Sequence, residues 1–195
     1  LREMRLQGLA PTVRSLHSCL KACERTASGE VALDLLSEMP ACDVKPDTIS
    51  YTSVVSALGR ERQWERALGV WGAMLDAGVA PDVKALTTLM YALIAADQWE
   101  KALSIFDLAS ASEWDVVRDA RVHAAAIEAC AAGLQPQLAT RLLNRMRKCA
   151  DDGDRPVTVS LACYRAAIRS CANAGEARAG FAIWQRMVRE GVTPD

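Results

Sequence analysis

Cysteine and histidine are the residues of this chain with the most distinctive chemistry. There are seven cysteines and two histidines. No Cys-x-x-Cys pair occurs, and Cys19 and Cys23, four residues apart, lack the histidine pair that would complete a zinc site. His17 and His123 also lack ligands at metal-binding spacing, and "DDGD" at 151–154 lacks the alternating ligands of a calcium loop. The sequence therefore predicts no disulfide framework, no metal and no cofactor.

Motifs of enzymes and of membrane segments are also missing from the sequence. It contains no phosphate-binding loop, no Gly-x-Ser-x-Gly and no His-Glu-x-x-His, and so predicts no enzymatic activity and no small-molecule substrate. The composition, with 51% hydrophobic and 24% charged residues and a net charge of -1, is that of an ordinary globular protein. The longest uncharged stretches have 12 residues, fewer than the roughly 20 of a membrane span. Residues 1–12 are too polar for a signal peptide.

A five-residue ending recurs along the chain at a fixed interval. "GLAPT" at 8–12, "DVKPD" at 43–47 and "GVAPD" at 78–82 are 35 residues apart, and "GVTPD" occupies 191–195. A period of this length indicates a repeat architecture. The predicted repeats comprise three contiguous ones, a degenerate fourth with an insertion, and a fifth: 13–47, 48–82, 83–117, 118–160 and 161–195. Residues 1–12 resemble the tail of a preceding repeat, which indicates a piece of a longer array.

Each repeat is predicted to fold as two helices joined by a turn. In the second repeat, apolar residues recur with helical spacing over 51–58 and 67–74, on either side of the polar "GRERQ". Gly78 is predicted to end the second helix in the left-handed conformation, and Asp82 to cap the helix that follows. A two-helix unit cannot bury its apolar face alone, so we expect the repeats to stack into a solenoid.

Three cysteines fall in an apolar slot of the first helices. Cys23, Cys130 and Cys171 occupy the repeat position that Leu58 and Leu93 fill. A free cysteine packs as a small hydrophobic residue, so these three are predicted to lie in the core, in a reducing compartment.

These features resemble the pentatricopeptide repeat (PPR) family. The resemblance rests on the 35-residue period, the starts "YTSVV" and "YRAAI", the "ERAL" of the second helix and the closing "GVAPD". It implies an all-α fold, an α-solenoid of about five 35-residue helix-turn-helix repeats that form a right-handed superhelix. It also implies binding of single-stranded RNA, at about one base per repeat, in a mitochondrion or chloroplast.

The resemblance further implies which side chains contact RNA. A base edge is read by one slot of the first helix together with the closing residue of the repeat. These pairs are Thr52 with Asp82, His17 with Asp47, Thr87 with Val117 and Arg165 with Asp195, and Ala124 fills the slot in repeat four. In the family, a Thr with a closing Asp favours guanine. A second slot, which stacks on bases or holds phosphate, contains Arg14, Ile49, Lys84, Arg121 and Ala162.

Charge placement favours the same function. The five first-helix windows carry nine basic and four acidic residues, a balance of +5, which leaves -6 for the rest of the chain. Arg60 is among the basic residues and is predicted to contact RNA. The sequence thus favours a single-stranded RNA-binding module in organellar RNA processing, stability or translation. The alternative is a protein-binding scaffold subunit of a larger organellar ribonucleoprotein or other assembly.

Overall fold

The chain folds into helical hairpins. The computed structural model describes residues 11–112, 114, 116, 119–151 and 159–193, with side chains for all of these except 147–151. Within them lie ten α-helices, a 3-10 helix at Pro40–Cys42 and no strand. The α-helices are α1 Val13–Thr26, α2 Gly29–Glu38, α3 Thr48–Arg60, α4 Trp64–Asp76, α5 Val83–Ala95, α6 Trp99–Ala111, α7 Ala120–Ala132, α8 Pro136–Asp151, α9 Leu161–Asn173 and α10 Ala177–Arg189. The odd-numbered helices are the first helices of the predicted hairpins, and the all-α repeat fold is confirmed.

The helices form two compact units. Unit 1 extends to Ala96 and unit 2 begins at Asp97. In unit 1, the first helices pack side by side, α1 against α3 and α3 against α5. In unit 2, α7 packs against α9, while α8 and α10 pack against these first helices. No helix in the described part of the chain is long and apolar enough to cross a membrane.

The turn within each hairpin has the same backbone conformation. The fifteenth residue, counted from the first residue of each first helix, has a positive φ, between 50° and 74°: Ala27, Arg62, Asp97, Leu134 and Gly175. The end of the second helix repeats this device, since Gly78 has a φ of +69°. Glycine adopts the left-handed conformation at little energetic cost and so ends a helix readily. The prediction that Gly78 ends the second helix in this conformation is therefore confirmed.

Aspartate caps the helices that follow. The Asp47 carboxylate accepts a hydrogen bond from the Ser50 N–H at 2.9 Å, and the Asp82 carboxylate accepts one from the Ala85 N–H at 2.6 Å. Each carboxylate satisfies a backbone donor that the helix leaves unpaired, and its charge suits the positive helix end. The sequence therefore correctly predicts Asp82 as a helix cap.

Each unit has its own apolar core. Fully buried side chains include Leu16, Leu58, Leu86 and Leu93 in unit 1, and Phe106, Ile127, Leu143 and Tyr164 in unit 2. Cys23, Cys130 and Cys171 are also buried, which confirms their predicted place in the core. Burial raises the pKa of Cys130 to about 12, so this thiol stays protonated and packs as an apolar group.

Candidate nucleic-acid interface

The second residue of every first helix is exposed. In unit 1 these residues are Arg14, Ile49 and Lys84, and in unit 2 they are Arg121 and Ala162. The helical spacing explains this, because the apolar stripe that faces the neighbouring helices begins one or two residues later. The predicted stacking or phosphate-binding slot is therefore solvent-accessible in all five repeats.

The two predicted base-reading residues of repeat one lie against each other. His17, the fifth residue of α1, has its Nε2 atom 3.0 Å from Oδ1 of Asp47. The Ser50 hydroxyl donates to the same carboxylate oxygen at 2.8 Å and lies 3.2 Å from the His17 ring nitrogen. His17 and Arg14 also line a groove of about 340 Å³ along α1. The structure thus brings together a carboxylate, an imidazole and a hydroxyl beside an open surface.

The Asp47 carboxylate is held in its charged form. Burial raises its pKa, but hydrogen bonds from the Ser50 N–H, the Ser50 hydroxyl and His17 outweigh burial, so the pKa lies below its ordinary value. An ionised carboxylate accepts hydrogen bonds only, so this group recognises donors on a ligand.

Thr52 and Thr87, the corresponding residues of repeats two and three, bond to their own helices. The Thr52 hydroxyl donates to the Thr48 carbonyl at 2.6 Å, and the side chain is only 5% exposed. The Thr87 hydroxyl donates to the Val83 carbonyl at 2.8 Å and is half-buried. Asp82, the partner predicted for Thr52, is exposed. In repeat two the accessible member of the predicted pair is thus the carboxylate.

In unit 2 the residues predicted to contact RNA differ from one another in type and in exposure. Ala124 is buried and Arg165 is exposed. Arg121 donates two hydrogen bonds of 2.9 Å from its guanidinium to Asp119, the cap of α7. The Arg121 side chain is the main cause of the lowered pKa of Asp119. Val117 and Asp195, the closing residues of repeats three and five, lie outside the described residues.

A groove between α3 and α5 contains residues that the sequence did not single out. Its volume is about 460 Å³, and its lining includes Ser56, Arg60, Arg62 and Tyr91. The sequence predicts Arg60 as a contact to RNA but does not predict Ser56, Arg62 or Tyr91. A signal for Tyr91 exists in the sequence, because helical spacing places it outside the buried stripe formed by Leu86, Leu89, Met90 and Leu93.

The charges of unit 1 are segregated between its first and second helices. Helices α1, α3 and α5 carry five basic residues, all exposed, against one acidic residue. Helices α2 and α4 carry five acidic residues against one basic residue. The first helices of this unit therefore present a positive surface that attracts polyanions.

Unit 2 has a different distribution. Helices α7 and α9 carry Arg121, Arg165 and Arg169 against Glu128. The described side chains of α8 and α10 include five arginines and no acidic residue: Arg141, Arg145, Arg178, Arg186 and Arg189. The basic surface of this unit thus extends to α8 and α10, whereas α6, its other second helix, carries Glu100 and Asp107 against Lys101.

Comparison with known proteins identifies the repeat. A model described as "PPR repeat family" matches residues 46–95, and one described as "PPR repeat" matches 85–109 and 162–192. No curated protein matches the chain by sequence.

Solved structures share the fold. The pentatricopeptide repeat protein PPR10 from maize superposes with a TM-score of 0.72 and 22% identity, over 100% of this chain and 27% of its own length. The same protein in complex with an 18-nt psaJ RNA element gives a TM-score of 0.59 and 16% identity, over 99% of this chain and 32% of its own. The PPR domain of Arabidopsis thaliana protein-only RNase P 1, in complex with tRNA, gives 0.67 and 15%, over 91% and 89%. The chain thus spans about a quarter of the maize protein's length. The family models therefore show pentatricopeptide repeats at 46–109 and 162–192, and the likeness to these solved structures shows that the fold is shared.

Proposed function

We propose that this chain binds single-stranded RNA along the first helices of unit 1. The wider role that we propose is in RNA processing, stability or translation in a mitochondrion or chloroplast. The observation that carries RNA binding is the segregation of charge in unit 1, where the first helices hold five basic residues against one acidic residue and the second helices hold the reverse.

Phosphate groups are bound by the exposed cations of the second helical position. Arg14 and Lys84 are exposed and form no ion pair with another described residue. Ile49 lies in the same position on the helix between them and is 47% exposed, so it offers an apolar surface to a base. RNA affinity from such contacts comes from release of counterions and from stacking.

Base edges are recognised by the closing carboxylates. Asp47 is ionised and is joined to His17, and Asp82 is exposed at the start of α5. Such groups accept hydrogen bonds from the amino and imino donors of an unpaired base. The guanine preference predicted for the Thr52 and Asp82 pair rests mainly on Asp82, because the Thr52 hydroxyl already donates within its helix.

The comparisons support this proposal in two ways. The maize protein that shares the fold binds an RNA element, and the PPR domain of the RNase P is in complex with tRNA. The charged surface of unit 1 supplies the attraction that such binding needs.

The test is a titration with short single-stranded RNA at several salt concentrations. RNA binding predicts that the logarithm of affinity falls with the logarithm of salt, with a slope of about -0.7 for each phosphate neutralised. Arg14→Ala and Lys84→Ala are each expected to weaken binding and to reduce the slope by about 0.7.

The matched control is Arg141→Ala. Arg141 is an exposed arginine on α8, so this variant removes the same charge from a second helix of unit 2 and is expected to leave the slope unchanged. Equal effects of all three substitutions would contradict a site on the first helices. Absence of salt-dependent binding at micromolar protein would contradict the function itself and favour the protein-binding scaffold.

A further inference from the structure

We infer that the groove between α3 and α5 seats one nucleotide of the RNA strand, with the base stacked on Tyr91 and the phosphate held by Arg60 and Arg62. This inference rests on the proposed function and places a nucleotide outside the two slots that the sequence predicts. The volume of about 460 Å³ lies within the range of about 300–1,000 Å³ typical of small-molecule sites.

Tyr91 supplies an accessible aromatic surface. It is the ninth residue of α5 and is 48% exposed, and it lines the groove together with Ala92 and Ala95. Every base has a π-face, so an exposed tyrosine can stack on any of the four bases, and this contact does not select the RNA sequence.

The positive end of the groove is formed by two arginines. Arg60 ends α3, and Arg62 lies in the turn that follows, where its guanidinium donates a hydrogen bond to the Ala95 carbonyl across the groove. Among the described residues, neither arginine forms an ion pair. Arg62 keeps further N–H donors, and an arginine with such donors binds a phosphate group by paired hydrogen bonds.

The rest of the groove is lined by small residues and by hydroxyl groups. Gly59 and Ala92 approach each other closely, so the floor has almost no side-chain bulk. Thr88 and Ser56 provide hydroxyl groups to the lining. The Ser56 hydroxyl donates to Glu24 on α1 at 3.2 Å, so towards a ligand its oxygen serves as an acceptor, to which a ribose hydroxyl can donate.

The equivalent positions of unit 2 show that such a groove is not a necessary product of the fold. The ninth residues of α7 and α9 are Glu128 and Arg169, where α3 and α5 have Ser56 and Tyr91, and they form an ion pair. The positions of Arg60 and Arg62 are taken in unit 2 by Ala132 and Leu134. The equivalent positions of α7 and α9 therefore carry neither an aromatic ring nor cations in place of Arg60 and Arg62, while the two helices pack against each other as α3 and α5 do.

The experiment measures binding of a fluorescent homopolymeric RNA and of an abasic oligomer of the same length. Tyr91→Ala is expected to weaken binding of the RNA by about 5- to 150-fold, the range found for loss of one stacked base, and to leave binding of the abasic strand unchanged. Tyr91→Phe is expected to bind like the wild-type chain, because the ring is kept. Arg60→Ala is expected to weaken binding of both strands, because both carry phosphate.

Two further variants serve as controls. Phe181→Ala removes an aromatic ring of α10 that is 57% exposed and is expected to change nothing. The double variant Ser56→Glu with Tyr91→Arg introduces the residues of the unit 2 ion pair into the groove and is expected to lose as much affinity as Tyr91→Ala. Circular dichroism checks that each variant keeps its helices.

The two proposals fail in different ways. A wild-type chain that does not bind the homopolymer contradicts the proposed function. RNA binding that is equal in the wild-type chain and in Tyr91→Ala contradicts the groove alone. An equal loss of the RNA and the abasic strand in Tyr91→Ala also contradicts it, because stacking requires the base.

Discussion

The two units build the same helical hairpins but use the ninth residue of their first helices differently. In α3 and α5 of unit 1 this position holds Ser56 and Tyr91, which line an open groove of about 460 Å³. In unit 2 it holds Glu128 and Arg169, which pair with each other. This position thus lines an open surface in unit 1, whereas in unit 2 it carries two opposite charges that pair with each other.

Helix packing and surface chemistry are set by separate residues in both units. The apolar stripe repeats in both units, because α3 packs against α5 as α7 packs against α9. The exposed positions are not fixed by this packing, so they differ between the units in charge and in aromatic content. A shared repeat fold therefore does not imply equal binding by every repeat.

The largest effect that we predict concerns the floor of the groove. A Cβ atom added at Gly59 would lie 2.6 Å from the Cβ atom of Ala92, whereas the equivalent residue of unit 2 is Ala131. Gly59→Ala is expected to lower the free energy of unfolding by about 1–3 kcal/mol, because two packed helices must move apart. Urea unfolding measures this change.

The control for this prediction is another helical glycine. A Cβ atom at Gly69 in α4 meets nothing within 4 Å, so Gly69→Ala is expected to stabilise the chain by about 0.5–1 kcal/mol through helix propensity. A similar gain for Gly59→Ala would show that the helices of unit 1 do not approach closely.

Much of the repeat fold was predictable because it depends on local signals. Helical spacing, the left-handed Gly78 and the cap Asp82 are each properties of a few adjacent residues. The contact of His17 with Asp47 is different, because the two residues are 30 positions apart and only packing of α1 on α3 brings them together. The resemblance paired these residues but gave no distance.

The groove was not predicted, for a related physical reason. It depends on two helices that approach over Gly59 and Ala92, and on the side chains that remain around this contact. A pattern of apolar residues indicates which face is buried, but it does not say how closely two backbones approach. The burial of Thr52 is likewise not predictable from the sequence, since a threonine on a helix surface is by default expected to be solvated.

The aspartates that cap α3 and α7 test the comparison of the two units through a smaller effect on stability. Hydrogen bonds from Ser50 and His17 lower the pKa of Asp47 despite burial, whereas the pKa of Asp119 is lowered chiefly by Arg121 of its own helix. A lowered folded-state pKa contributes stability that is present above the unfolded value of about 3.9 and is lost as pH falls through the folded value. Asp47→Asn keeps a capping oxygen but does not titrate.

We therefore expect the free energy of unfolding to fall less steeply below about pH 4 in Asp47→Asn than in the wild-type chain. Asp47→Ala, which also loses the cap, is expected to cost about 0.5–2 kcal/mol at neutral pH. Urea unfolding across the acid range measures both, with Asp119→Asn as the matched variant of unit 2. Identical acid profiles for the wild-type chain and Asp47→Asn would show that Asp47 is not held in its charged form.

The smallest effect that we predict is the contribution of the Glu128 and Arg169 ion pair to stability. The two side chains are 25% and 53% exposed, so water and salt screen their attraction. A double-mutant cycle with Glu128→Ala and Arg169→Ala is expected to give a coupling of about 0.2–1 kcal/mol, which decreases as salt is added. A coupling several times larger and insensitive to salt would mean that the pair holds α7 and α9 together. In that case the contrast between the units would lie in helix packing, whereas a small coupling assigns the contrast to surface chemistry.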